Sequence, residues 1–144
     1  MDIFRKVSKF ISNTEKSSET LQSSKNPKSP DTSPTFLVVD DDDLFRRIIE
    51  KAGRKVGFHI LTCASLKDAF KIKEKYDVVI LDYLLGAHER GTDGLAFFEN
   101  TPVVLISSVG NKSGIQPDVP SLVKKFLPKE VGVKTILMEA LKYI

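Results

Sequence analysis

The sequence predicts an α/β domain built on a doubly wound parallel sheet, and three observations carry that expectation. Short apolar runs rich in Val and Ile recur, at Phe36-Leu37-Val38-Val39, Val78-Val79-Ile80-Leu81 and Val103-Val104-Leu105-Ile106. Runs this short and this continuously apolar suit strands buried on both faces. Between them lie segments with apolar residues at helical spacing, and strands alternating with helices imply parallel pairing. Each run also stops on a polar or charged residue, and in an open α/β sheet the chemistry sits beyond the carboxyl ends of the strands. A lone Asp in that place usually just opens a turn, so the stops gain meaning only jointly.

The chain has 144 residues, enough for one ordinary domain with an appendage, and its 41% hydrophobic content can fill a core. A formal charge of +3 is too mild to argue for nucleic acid. One cysteine, Cys63, excludes an internal disulfide framework and a cysteine metal cluster, and reads as a buried thiol. No apolar run reaches the roughly 20 residues of a membrane span. The N-terminus lacks a signal-peptide core, because charges interrupt Ile3, Phe4, Val7, Phe10 and Ile11. A cytoplasmic protein is the expectation.

Residues 1–12 place those five apolar residues on one helical face, with Arg5, Lys6 and Lys9 elsewhere. So short a helix is marginal alone and would fold on a partner or a membrane surface, or else pack casually on the domain. Residues 13–35 are rich in Ser, Thr, Lys, Asn and Pro and read as a flexible linker. The domain is expected over 36–144.

Its first strand ends on Asp40-Asp41-Asp42-Asp43. A helix follows, with a stripe of Leu44, Phe45, Ile48, Ile49, Ala52 and Val56, and Gly57 placed to end it. Asp42 or Asp43 serves as its N-cap, which leaves Asp40 and Asp41 without a structural task. Phe58–Thr62 reads as a strand, and Ser65 as the cap of a helix carrying Leu66, Ala69, Phe70 and Ile72. The strand ending on Asp82 leads into a loop, Tyr83 to Asp93, and then a short helix cut off by Pro102. A fourth strand ends on Ser107. The stretch 109–121 holds Gly110, Gly114, Pro117 and Pro120, so a full-length helix is not expected there. Leu122–Leu127 reads as a fifth strand before Pro128-Lys129, and a final helix carries Val133, Ile136, Leu137, Ala140, Leu141 and Ile144.

In a parallel sheet Asp40, Asp41, Asp82, Ser107 and Lys129 all fall on one edge. Three carboxylates together repel unless they share a cation. A hard ion such as Mg²⁺, held by carboxylates, waters and phosphate oxygens, meets that need. With a lysine as positive point charge and a hydroxyl donor, the set is built to hold a phosphoryl group.

Here the chain resembles the response-regulator receiver domain of two-component signalling. Phe36-Leu37-Val38-Val39-Asp40-Asp41 is similar to its first strand and acid pair, and Val78-Val79-Ile80-Leu81-Asp82 to the strand ending in the phosphoacceptor. Val103 to Ser107 resembles the strand with the Ser/Thr switch, and Phe126-Leu127-Pro128-Lys129 the strand with the lysine. The resemblance implies a flavodoxin-like five-stranded sheet of order 2-1-3-4-5. It implies that Asp82 takes a phosphoryl group from a histidine kinase or histidine phosphotransfer protein. Asp40, Asp41, Asp82 and the backbone carbonyl of Leu84 would hold Mg²⁺, Lys129 would pair with phosphate oxygens, and Ser107 and Phe126 would form the coupled switch. The chain would be no enzyme beyond gaining and losing its own phosphoryl group. With no output domain expected after Ile144, it would act by binding a downstream protein or by handing its phosphoryl group onward.

Departures from the pattern are specific. Leu85-Gly86 stands where receivers commonly carry Met-Pro, and the loop holding His88, Glu89 and Arg90 is longer than usual. The third helix is shortened and the fourth irregular. Glu130 follows Lys129 where the family has proline, so a trans bond is expected, a non-proline cis bond costing roughly 3 kcal/mol. Apolar Leu84 and Val109 beside the site offer a hydrolytic water no hydrogen bond, which predicts a long-lived phosphoryl group. Two rivals follow: a degenerate receiver acting as a phosphorylation-independent interaction module, and a haloacid-dehalogenase-type phosphatase using Asp40, Asp42, Ser107 and Lys129.

Overall fold

A computed structural model describes residues 32–108 and 120–144. The amphipathic segment 1–12, nearly all of the linker 13–35 and most of the irregular fourth-helix stretch 109–121 lie outside the described residues.

Five parallel strands form the sheet: β1 (Thr35–Val39), β2 (His59–Cys63), β3 (Val78–Asp82), β6 (Val103–Ser107) and β7 (Val123–Pro128). Their spatial order is β2-β1-β3-β6-β7, which is 2-1-3-4-5 when these five alone are counted. The fold is therefore the doubly wound α/β sheet that the alternation of periods predicts. The three central strands are buried on both faces, as their unbroken Val/Ile/Leu runs require. β1 begins at Thr35, the last residue that composition assigns to the linker, and its amide donates to Asp77 Oδ2 at 2.8 Å.

One face is covered by α1 (Asp43–Lys55) and α3 (Val133–Leu141). Phe36, Val38 and Ile80 of the sheet meet Ile49, Ile136, Leu137 and Leu141 there. Asp42 caps α1, accepting from the Leu44 and Phe45 amides at 3.0 and 3.2 Å. Gly57 lies beyond its end with φ 88°. The buried stripe is narrower than the sequence suggests. Phe45, Ile49 and Ala52 pack inward, whereas Leu44 and Ile48 stand 64% and 46% exposed.

The opposite face has smaller cover. α2 (Leu66–Phe70) has five residues and starts on Ser65, whose hydroxyl accepts from the Asp68 amide at 3.1 Å. Ile72 falls beyond its end. The short helix after β3 is a 3-10 helix, Gly91–Phe98. The preceding loop is more ordered than its composition suggests, for β4 (Leu84–Leu85) and β5 (Glu89–Arg90) pair as an antiparallel hairpin. Gly86 turns this hairpin at φ 80°, a conformation that glycine adopts without strain. Exposed His88 sits at its tip. Glu89 reaches back to the Leu66 amide at 3.4 Å, joining the hairpin to the start of α2.

Candidate functional site

Four strand ends converge on one edge of the sheet. Asp40 follows β1 and is fully buried; Asp82 ends β3 and Ser107 ends β6, both buried. Lys129 opens a 3-10 turn (Lys129–Val131) directly after β7. Strand register explains the convergence: Asp82 pairs with Ile106, and Ser107 with Pro128. Each sequence-predicted side chain thus lies one step from its neighbour's strand. Phe126 pairs in register with Leu105 and is partly buried among the residues of the α2 face. Leu84 opens the hairpin two residues beyond Asp82, its side chain partly exposed. Among the described residues no peptide bond is cis, so Lys129–Glu130 is trans.

Charge organises the cluster. Lys129 Nζ lies 2.7 Å from Asp40 Oδ2 and 3.3 Å from Asp82 Oδ2. The contact with Asp40 is an ion pair off the hydrogen-bonding direction, because that buried oxygen has no hydrogen-bond donor. Asp40 Oδ1 instead accepts from the Asp42 amide at 2.9 Å. Asp40, Asp41 and Asp82 each offer a carboxylate oxygen, all within 4.8 Å of one another. An all-oxygen donor set with one exposed member, and with a buried oxygen that meets a charge but accepts no hydrogen bond, suits a hard divalent cation such as Mg²⁺.

Burial pushes the Asp82 carboxyl up to about 7; the adjacent Asp40 adds to the rise and Lys129 opposes it. For Lys129 burial alone would lower the pKa, but the Asp40 and Asp82 carboxylates outweigh it and leave the ammonium above its ordinary value. The lysine therefore stays charged while the carboxylates compete for it. Such a site would gain from a further cation.

Sequence reasoning misses three supporting residues. Arg46 donates through Nη1 to the Asp40 carbonyl at 2.7 Å and through Nη2 to Asp43 Oδ1 at 3.0 Å, fixing the acid run against α1. Phe45 presents its ring 4.7 Å from Lys129 Nζ, a cation–π contact. Gly91 has no room for a side chain: a Cβ there would collide with the Asp82 carbonyl oxygen. Its amide donates to the Tyr83 carbonyl at 2.8 Å, so the hairpin returns tight against the backbone of Asp82. The signal for Gly91 was its glycine identity in an otherwise polar loop; the contacts of Arg46 and Phe45 left no trace in spacing. Cys63 is half-buried, and burial raises its thiol to about 11, which makes it a poor nucleophile.

No protein-family model matches the chain. Among curated proteins, transcriptional activator protein PfeR of Pseudomonas aeruginosa is 34% identical over 86 aligned positions, covering 54% of this chain and 27% of that protein. A two-component response regulator of Arabidopsis thaliana is 28% identical over 110 positions, covering 69% of this chain and 20% of its own length. The chain thus spans about a quarter or less of the length of these relatives. Among solved structures, response regulator protein TrrA of Thermotoga maritima, in complex with Mg²⁺ and BeF, matches with TM-score 0.65 at 19% identity, covering 77% of this chain and 99% of that one.

The fold is that of a response-regulator receiver domain.

A further receiver-fold relative, a Burkholderia pseudomallei response regulator with a phosphorylated aspartic acid, matches with TM-score 0.63 at 19% identity over 76% of this chain and 66% of that chain. The site residues named from the sequence lie at the carboxyl ends of the strands of this sheet or directly after them.

Proposed function

We propose that this receiver accepts a phosphoryl group on Asp82. The observation that carries the reading is the clustering of the Asp40, Asp41 and Asp82 carboxylates on one sheet edge, with Lys129 ion-paired to Asp40 and Asp82. A carboxylate oxygen of Asp82 attacks phosphorus, the bond from phosphorus to the donor's imidazole nitrogen breaks, and an aspartyl phosphate forms while the imidazole takes up a proton. The donor class is a histidine kinase or a histidine phosphotransfer protein, in a cytoplasmic setting. Mg²⁺ held by Asp40, Asp41, Asp82 and the Leu84 carbonyl would neutralise charge on the transferring group. Lys129 leaves its pairing with Asp82 to meet a phosphate oxygen, and Ser107 hydrogen-bonds another. That inward pull, coupled to Phe126, biases the surface presented to a downstream protein.

The rival in which the domain binds partners without phosphorylation draws on the hairpin and on the short helices of the α2 face. A haloacid-dehalogenase-type reading fares worse. Asp42, its second catalytic acid, is committed to capping α1, and of the acids after Lys129, Glu139 pairs with Lys142 at 2.8 Å.

Incubation with Mg²⁺ and acetyl phosphate, followed by intact mass, tests the proposal. A phosphoryl adduct of about 80 Da that is absent in Asp82→Ala supports it. No adduct from any donor would favour the interaction module.

A further inference from the structure

The α2 face carries an uncovered aromatic pair. Phe70 and Phe97 stand 41% and 52% exposed, with ring centroids 4.3 Å apart. Phe98 joins from beneath, at 5.3 Å from Phe97 and 6.2 Å from Phe70. Tyr76 meets Phe98 edge-on at 6.4 Å. The exposure has a structural cause: α2 ends at Phe70 and the 3-10 helix ends at Phe98, so no further turn of either covers the rings. The two rings are tilted at 39° to one another, and together they make one continuous solvent-facing aromatic surface.

We infer that this aromatic patch is the docking site of the chain's own amphipathic segment, residues 1–12. The decisive observation is where the chain enters the domain. The Thr35 amide donates to Asp77 Oδ2, and the Asp77 amide donates to the Thr35 carbonyl, both at 2.8 Å. Asp77 is the neighbour in sequence of Tyr76, itself part of the aromatic cluster. The tail therefore leaves the sheet beside the patch.

Were residues 13–34 a flexible coil, as their composition predicts, they would span about 25 Å on average. That is enough to return the segment to the patch, at an effective concentration on the order of millimolar. Ile3, Phe4, Val7, Phe10 and Ile11 supply an apolar stripe of matching character. Arg5, Lys6 and Lys9 would meet exposed Asp93 and Glu99 on the 3-10 helix side, since Lys67 and Lys71 occupy the α2 side. This inference does not depend on whether Asp82 is phosphorylated.

The chain has no tryptophan, so Phe4→Trp in the full-length protein supplies a single emission reporter. Docking predicts blue-shifted emission and several-fold weaker acrylamide quenching than in the same chain carrying Phe97→Ser, independent of protein concentration. Phe10→Ser, a change outside the described residues that alters no residue of the described core, should release the reporter equally. Identical emission with and without both patch and tail substitutions overturns the inference. A shift that vanishes on dilution assigns the patch to a second copy of the chain, and one that requires anionic vesicles assigns the segment to a membrane surface; either result overturns it as well.

Discussion

The two faces of the sheet are built to different standards. On the first, helices of thirteen and nine residues cover Phe36, Val38, Ile80 and Ile106 completely. On the second, a five-residue helix and an eight-residue 3-10 helix cover Leu37, Val39 and Leu81 but leave Phe70 and Phe97 in solvent. The site draws on both. Asp40 and Lys129 sit at the turns leading into α1 and α3, whereas Asp82 leads into the hairpin. Apart from Glu130, which follows Lys129 in the turn to α3, the departures from the receiver pattern in the described residues lie on the second face or in the loop feeding it. The difference teaches that the lysine and the first acids are fixed by conventional packing, while the placing of Asp82 depends on local devices such as Gly91.

The largest effect should come from the first face. Ile49→Ala is expected to cost about 3 kcal/mol in urea unfolding, from lost burial and a cavity, whereas Phe97→Ser should stay within about 0.5 kcal/mol. Equal losses would abolish the contrast between the faces. Next, Gly91→Ala forces a methyl group against the Asp82 carbonyl and should cost about 2 kcal/mol, with slower phosphorylation from acetyl phosphate. A neutral Gly91→Ala would show that the hairpin is not what holds Asp82.

The smallest effect is a stabilisation. The Asp82 carboxyl is raised to about 7 in the fold from about 4 in an unfolded chain. Between those values the folded state holds a proton that the unfolded state has lost, so stability falls as pH rises through this window. Asp82→Asn removes that penalty. It should raise stability by about 1 kcal/mol at pH 8, after allowing for the lost Lys129 contact, and by nothing near pH 4. A gain that persists at pH 4 would place the strain elsewhere. Added Mg²⁺ should stabilise the unsubstituted protein at pH 8 and the variant much less.

Much of this was legible beforehand because it depends on one-dimensional signals. Continuous apolar runs marked the strands, and Ser65 and Asp42 capped helices as their side chains allow. Strand-end polar residues became a site once parallel order was granted. What was hidden depends on three-dimensional contact. The outward turn of Leu44 and Ile48 follows from where α1 meets the sheet. Two-residue strands in the 83–93 loop carry too little pattern to read. The contacts of Phe45 with Lys129 and of Gly91 with Asp82 join residues far apart in sequence.

Borohydride trapping of the phosphorylated protein followed by peptide mapping tests the central claim most directly. Reduction of an aspartyl phosphate leaves homoserine at the acceptor. The account predicts that residue at position 82, formed only with Mg²⁺ and a donor present; homoserine at position 40 or 41 instead, or none at all, would contradict it.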